Sequence, residues 1–364
     1  MSEQLYVAGM GNGAPPLRLD EISSFGHDQG CGNFVAVQTF MQPADYGRPA
    51  DFAARLHAYL AQAAAAGWLN EQTIVAFPEH IGTWLVAAGE PGLILRARSV
   101  AAALMLTAAR HPVGLVRNLR HALGQNRLLD ALFRFKAPGM AAIYQATFAD
   151  LARSFGVTLV AGSLVLPEPE VEDGRLVVGR GGLQNVTAVF RPDGTLHPHL
   201  TRKVRLVHLE TAFLQAASPA ALPVYETPAG RLGILICADS WYPETYAPLA
   251  AAGVELLIVP NFQATWDVPW PGYAAEPVPA DVDSADVGRL LEKEAWLKYA
   301  LPGRLPASGA RYGLHVFGHG QLWDERGDGQ TIIVTPDEVI CASYVAGAAL
   351  VNFWLGPKEE GDGA

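Results

Sequence analysis

Cys237 lies in the run Leu235-Ile236-Cys237-Ala238-Asp239-Ser240-Trp241-Tyr242-Pro243-Glu244, after an apolar stretch and directly ahead of a helix start. Such a strand-to-helix corner is expected to expose the sulfur and to set the positive end of a helix beside it. Both effects favour the nucleophilic thiolate. Two further segments carry groups that a cysteine nucleophile needs. Thr73-Ile74-Val75-Ala76-Phe77-Pro78-Glu79-His80 reads as a buried strand that delivers Glu79 at its end. Poor solvation there raises the proton affinity of a carboxylate toward that of a useful base. Thr201-Arg202-Lys203-Val204-Arg205-Leu206-Val207-His208-Leu209-Glu210 follows the turn Pro192-Asp193-Gly194, which joins two strands.

Together, in this order and at this approximate spacing, the three segments resemble the nitrilase, or carbon–nitrogen hydrolase, superfamily. Its members end a strand with a glutamate after Phe-Pro, open a Lys-x-x-Leu segment with a lysine and set a cysteine in an apolar-Cys-x-Asp/Glu stretch. The matching elements are Phe77-Pro78-Glu79, Lys203-Val204-Arg205-Leu206 and Ile236-Cys237-Ala238-Asp239, with Pro243-Glu244 following. The resemblance runs from about Phe34 to about Phe353 and implies an α/β fold, a four-layer α-β-β-α sandwich. It implies that Glu79 is the general base, that Cys237 forms a thioester, and that Lys203 stabilises the oxyanion together with the backbone N–H of Ala238. Glu210, seven positions after Lys203, stands close to where many members carry a second glutamate that orients lysine and substrate.

The branch is read from the same motif. Members that hydrolyse nitriles generally have Cys-Trp-Glu, whereas Cys237-Ala238-Asp239 resembles the amidase and carbamoylase branches. Several of those carry an arginine a few residues after the cysteine, where Ser240-Trp241-Tyr242 stand here, which speaks against assignments that rely on an arginine gripping a carboxylate. The expected activity is hydrolysis of a small-molecule amide or N-carbamoyl group, with no cofactor. Nitrile hydrolysis or acyl transfer by the same triad is the alternative. A non-catalytic binding module on this fold would predict damage in at least one of the three positions, and none is damaged.

Composition agrees with a soluble enzyme. The chain of 364 residues is 50% hydrophobic and 17% charged, ample for a large core. Its net charge of −10 argues against a nucleic-acid partner. Cys31, Cys237 and Cys341 show no metal-ligand spacing and point to a reducing compartment without structural disulfides. Met1-Ser2-Glu3-Gln4-Leu5 lacks the pattern of a secretion signal, and no apolar run is long enough to span a membrane, so a cytoplasmic protein is expected. His315 and His319 fall outside known metal-site spacings, and no metal is expected.

Strands alternate with helical patterns. Strands are expected at Asn33–Phe40, Val157–Ser163, Asn185–Phe190, Arg231–Ile236, Glu255–Pro260, Gly313–Phe317, Gln330–Val334 and Val345–Phe353, and helices at Ala50–Ala65, Ala141–Phe155, Pro243–Ala252 and Leu290–Tyr299. These form one domain over 33–356, with an N-terminal extension over 1–32 and a flexible tail over 357–364. Two stretches depart from the family pattern. Residues 92–136 hold eight arginines or lysines against Asp130, a balance of +7 that leaves −17 for the rest. Interleaved apolar residues make this an amphipathic helical hairpin, packed on the sandwich or on a second subunit, or a basic rim for an anionic substrate rather than a membrane contact. Thr265 to about Gly309 is Pro-rich and then acidic, and its Pro-rich piece reads as a surface or subunit-contact loop. Asn261, Phe262, Gln263 and Trp266, with His80 beside Glu79, are the candidates for substrate contact. The resemblance further implies a homodimer or larger homo-oligomer, paired through the face that holds the nucleophile's helix.

Overall fold

Along Asn33–Gln38 and Thr73–Ala76 every residue is buried, and successive apolar side chains join different cores. Phe34, Ala36, Ile74 and Ala76 pack on one side, while Val35, Val37 and Val75 pack on the other. A sheet apolar on both faces must be covered on both. The computed structural model describes Leu17 and residues 19–273 and 276–357, and it shows what covers them.

One sheet has seven strands in the spatial order Leu19–Phe25, Ala348–Trp354, Asn33–Gln38, Thr73–Ala76, Thr158–Glu172, Arg175–Phe190 and Leu196–Arg202. A second has six, in the order Val339–Cys341, Ile332–Val334, Tyr312–Phe317, Leu256–Asn261, Gly230–Ile234 and Val224–Thr227. Between the sheets lies a core that joins Phe34, Ile74, Val160 and Val351 of the first to Leu232, Ile234, Ile258 and Val316 of the second. On the outer face of the first sheet, the helices Pro49–Ala65 and Arg127–Phe155 bury Phe52, Leu56, Tyr144 and Phe148. On the outer face of the second, the helices Pro243–Ala251 and Glu292–Tyr299 bury Tyr246, Leu249 and Trp296. Three cores separate four layers, α-β-β-α, as the sequence implies.

The expected elements recur with shifted ends, and two differences matter. Leu19–Phe25, inside the expected N-terminal extension, forms an edge strand parallel to Ala348–Trp354. The expected tail lies, except for Pro357, outside the described residues. The helix expected from Ala141 begins at Arg127 and runs through Pro138, because packing of Ala131, Leu132, Ala137 and Met140 against the core overrides the Pro138-Gly139 stop signal.

That longer helix alters the reading of 92–136. The stretch forms the helices Gly92–Leu95, Val100–Arg110 and Pro112–Leu119 and then the first turns of the long helix. Its cations are partly internal. Arg134 is ion-paired with buried Asp130 and donates to the carbonyls of Arg180 and Gly181, and Lys136 bonds Glu90 at 2.6 Å. The stretch also braces the loop that carries Glu210, since the Asn126 N–H donates to the Ala212 carbonyl and Phe133 stacks on Phe213. Its outer face leaves Met105, Val113 and Val116 about two-thirds exposed, at 65%, 63% and 66%.

The placement of Glu79 depends on an irregularity in the neighbouring strand. Pairing between Thr158–Glu172 and Arg175–Phe190 slips between Val160 and Ser163, and Gly162 there has φ +62°. The slip makes room for the Pro78–Gly82 turn. Ser163 grips that turn: its hydroxyl accepts the His80 N–H at 2.9 Å and its carbonyl accepts the Gly82 N–H at 2.9 Å. A Cβ on Gly162 would fall on the Pro78 carbonyl oxygen and the Ile81 side chain. Gly162→Ala is therefore expected to lower unfolding free energy by about 1–3 kcal/mol and to depress activity by displacing Glu79. Urea midpoints together with turnover check this, and an unchanged midpoint with full activity would contradict the gripping role.

Candidate active site

Glu79 follows the Thr73–Ala76 strand, Lys203 follows the Leu196–Arg202 strand, and Cys237 follows the Gly230–Ile234 strand. The two sheets thus bring to one edge three side chains that are 124 and 34 positions apart in sequence. Lys203 is 2% exposed, and its Nζ lies 2.7 Å from Glu79 Oε1 and 2.8 Å from Glu210 Oε2. Asn185 donates its amide to Glu79 Oε1 at 2.9 Å and to Glu210 Oε1 at 3.4 Å. Glu210 also accepts the Val207 N–H at 3.0 Å. A buried ammonium is thereby held between two carboxylates, with a neutral amide cross-linking them.

The electrostatics follow from that arrangement. Burial acts to lower the Lys203 pKa, but the charges of Glu210, Glu79 and Cys237 outweigh it and hold the pKa well above the ordinary value. Burial acts to raise Glu210, but Lys203 and His80 pull it to about 2. Cys237 differs from its expectation. The sulfur is buried rather than exposed, and burial, then the charge of Glu79, push its thiol well above the ordinary value against the opposing pull of Lys203. Nor is a helix end directly beside it. A 3₁₀ turn, Cys237–Trp241, intervenes, and the α-helix starts at Pro243, where proline suits the first helical position. The resting group is a thiol, and Glu79 is close enough for its charge to act on that proton.

Two strained corners frame the site. Cys237 has φ 49° and His80 has φ 61°, left-handed values that cost non-glycine residues about 1–3 kcal/mol each. Asp239 holds the first in place. Its buried carboxylate accepts the N–H of Ile236 at 3.0 Å and those of Val204 and Arg205 at 2.9 and 2.6 Å. It therefore ties the cysteine corner to the residues directly after Lys203. Burial pushes the Asp239 carboxyl up to about 7, against those same hydrogen bonds.

Other predicted site residues scatter. His80 faces the cluster, its Nε2 3.8 Å from Glu79 and 3.6 Å from Glu210, and its Nδ1 meets the Thr83 hydroxyl at 3.0 Å. Phe262 stands edge-on to His80. Asn261 is fully buried and bonds the Val259 carbonyl and the His315 ring, so it is a strut rather than a pocket wall. Trp266 packs in the core against Phe317. Gln263 lines a narrow cavity of about 80 Å³ together with Cys237 and Ala238. Trp241, Trp270, Tyr273, Trp296 and Glu292 complete much of its wall, and none of them is among the contact residues expected from the sequence. The Pro-rich piece expected at the surface instead buries Trp270 to 1% exposure and presents Tyr273 to the cavity. Aromatic residues between prolines were its available signal. Asn185 was likewise missed: it opens an expected strand and nothing local marks a polar residue there as a cross-link. No residue of 92–136 lines the cavity among the described residues.

Glu79, His80 and Glu210 can bring one ligand atom each within 4.8 Å of one another. Lys203 already supplies a cation to both carboxylates, and a divalent ion there would face that buried ammonium.

The family model for carbon–nitrogen hydrolases matches residues 42–278. The chain is 30% identical over 163 residues to an omega-amidase of Danio rerio, covering 43% of this chain and 50% of that protein. It is 28% identical over 123 residues to nitrilase 3 of Arabidopsis thaliana, covering 30% and 35%. The chain thus matches about half or less of the length of these relatives. In fold it is similar to a mutant of the amidase from Nesterenkonia sp. AN1 bearing acrylamide on its active-site cysteine, with TM-score 0.54 and 15% identity over 89% of this chain and 93% of that one.

Two outcomes follow from the pKa directions. Alkylation of Cys237 by iodoacetamide should keep accelerating with pH beyond 9, the ordinary cysteine value; a plateau reached below that value would contradict a buried, neutral thiol. The depressed Glu210 pKa contributes stability that is present above 4.5 and is lost as pH falls toward about 2. Glu210→Gln should accordingly lose less stability than the wild type between about pH 5 and about pH 2. Urea midpoints at the two pH values read the difference, and parallel losses would refute it.

Proposed function

Because the chain belongs to the carbon–nitrogen hydrolase family, we propose that it hydrolyses the C–N bond of a small amide or N-carbamoyl compound through a thioester on Cys237. The observation that best supports this reading is the buried Lys203 ammonium, 2.7 Å from Glu79, with the charges of both groups acting on the Cys237 thiol. Substrate enters the cavity with its carbonyl carbon against Cys237 Sγ. As the sulfur attacks, its proton passes to Glu79 and the carbonyl π electrons move onto oxygen. That oxyanion is met by Lys203 and the Ala238 N–H. Collapse breaks the C–N bond, and Glu79 returns the proton to the departing nitrogen, leaving a thioester. Water then gives a proton to Glu79 and its oxygen to the acyl carbon. The C–S bond breaks, the proton returns to sulfur, and a carboxylic acid departs.

Glu210 and Asn185 act by position: they hold Lys203 and Glu79 so that neither reorganises as charge develops. His80 stands at the edge of the pair, half-buried, and meets the incoming nitrogen in this reading. Association into a homo-oligomer belongs to the proposal, and the exposed apolar residues Met105, Val113 and Val116 offer one face for it. So does a reducing, cytoplasmic setting, which keeps Cys237 a free thiol. No helix among the described residues is long and apolar enough to cross a membrane.

The test is ammonia release from pooled primary amides and N-carbamoyl compounds, with acyl-enzyme trapping by mass spectrometry. Cys237→Ala should abolish both signals, and Lys203→Met should cut kcat by about 100- to 1,000-fold. Turnover that survives Cys237→Ala would sink the proposal.

A further inference from the structure

The cavity beside Cys237 has a composition that restricts its occupant. Trp241, Trp270, Tyr273 and Trp296 supply aromatic wall, with Trp241 stacked on Trp270 and edge-on to Trp296. The single charged side chain among its lining residues is Glu292, 7% exposed. No lysine or arginine among the described residues pairs with Glu292, and its Oε1 accepts only the neutral Gln263 amide, at 2.7 Å. Burial pushes this carboxyl up to about 7, against the Gln263 amide and the Trp296 indole that favour its charge. A desolvated carboxylate among ring faces is a poor host for an anionic or purely apolar group. It is a good host for a cation, which gains from both the charge and the rings.

We infer that this cavity selects amides whose chain ends in an ammonium group, which Glu292 and the Trp241, Trp270, Tyr273 and Trp296 rings receive while the amide carbonyl lies at Cys237. The inference rests on the hydrolase reading for the fate of the amide, but the cation site stands on its own geometry. Arg205, which lies over the ring of the lining residue Tyr242, does not supply a competing positive charge, because it is ion-paired with Glu244. The assignment also gives Gln263 a role: its amide holds one oxygen of the glutamate in place.

The test uses three butanamides that differ only at the chain end: trimethylammonium, its neutral tert-butyl isostere, and carboxylate. Binding is measured by calorimetry and tryptophan fluorescence on Cys237→Ala, so that no turnover is required while Glu292 and the aromatic wall are unchanged. The trimethylammonium amide should bind about tenfold or more tightly than the isostere, and the carboxylate more weakly still. Glu292→Gln on that background should collapse the preference for the cation. Equal binding of cation and isostere, tighter binding of the carboxylate, or a uniform loss for all three in Glu292→Gln would overturn the inference. If the cation binds selectively and the protein with Cys237 intact hydrolyses none of the three, the cation site stands and the hydrolase reading fails. If hydrolysis occurs without discrimination at the chain end, the hydrolase reading stands and the cation site fails.

Discussion

A buried ammonium between two buried carboxylates is the interaction on which the site is built. Each of these charges would be costly alone in a dry interior, and removing one partner of such a set costs several kcal/mol because it strands the others. Lys203 at 2% exposure can exist only because Glu79 and Glu210 lie within 3 Å of its nitrogen. That demand propagates outward. Glu79 must sit at the end of a short central strand, Glu210 must be held by its Val207 N–H and by the loop braced from 92–136, and Asn185 must face both. Two carboxylates against one cation leave the cluster with an excess negative charge, which adds to burial in keeping the neighbouring thiol protonated.

The backbone supplies what the charges require. The corner at Cys237 and the corner at His80 both adopt left-handed conformations, and each is held by polar groups rather than by its own preference. Asp239 takes three N–H groups around the first, and Ser163 takes two contacts around the second, through a slip in its strand that only Gly162 permits. The strain is thus offset by hydrogen bonds made where the strands end. Glu79, Lys203 and Cys237 all follow the ends of strands from the two sheets, where the strand fixes a position and the next residues are free to turn.

The legible part of this design was local. Glu79, Lys203 and Cys237 each sit in a short segment whose residue types repeat a family pattern, and the unbroken apolar run Ile74-Val75-Ala76-Phe77 reads directly as a buried strand. What was not legible arises from contacts between distant segments. Asn185 is one polar residue in a strand of the first sheet, and only the folded chain sets it against Glu79, 106 positions away. The aromatic cavity draws Trp241, Trp270 and Trp296 from three elements, and no periodicity links them. The buried sulfur contradicts the local expectation of an exposed one because the Pro-rich piece folds back over it, and the helix through Pro138 contradicts a stop signal because its apolar face is worth more than one lost hydrogen bond.

In the proposed reaction, a thiol that stays protonated at rest changes how the chemistry must run. With its pKa raised by burial and by Glu79, Cys237 cannot rely on a standing thiolate, so proton transfer to Glu79 has to accompany attack. At that moment the glutamate becomes neutral and the substrate oxygen becomes negative, so the cluster's total charge is unchanged and its negative centre has only moved. Lys203, already fixed between Glu79 and Glu210, then has one carboxylate fewer to satisfy and one oxyanion more. The ammonium need not travel or desolvate for this exchange. Its affinity for the oxyanion is paid out of the interaction it loses with Glu79, which makes the buried ion cluster a store of electrostatic stabilisation that is released only when the proton moves.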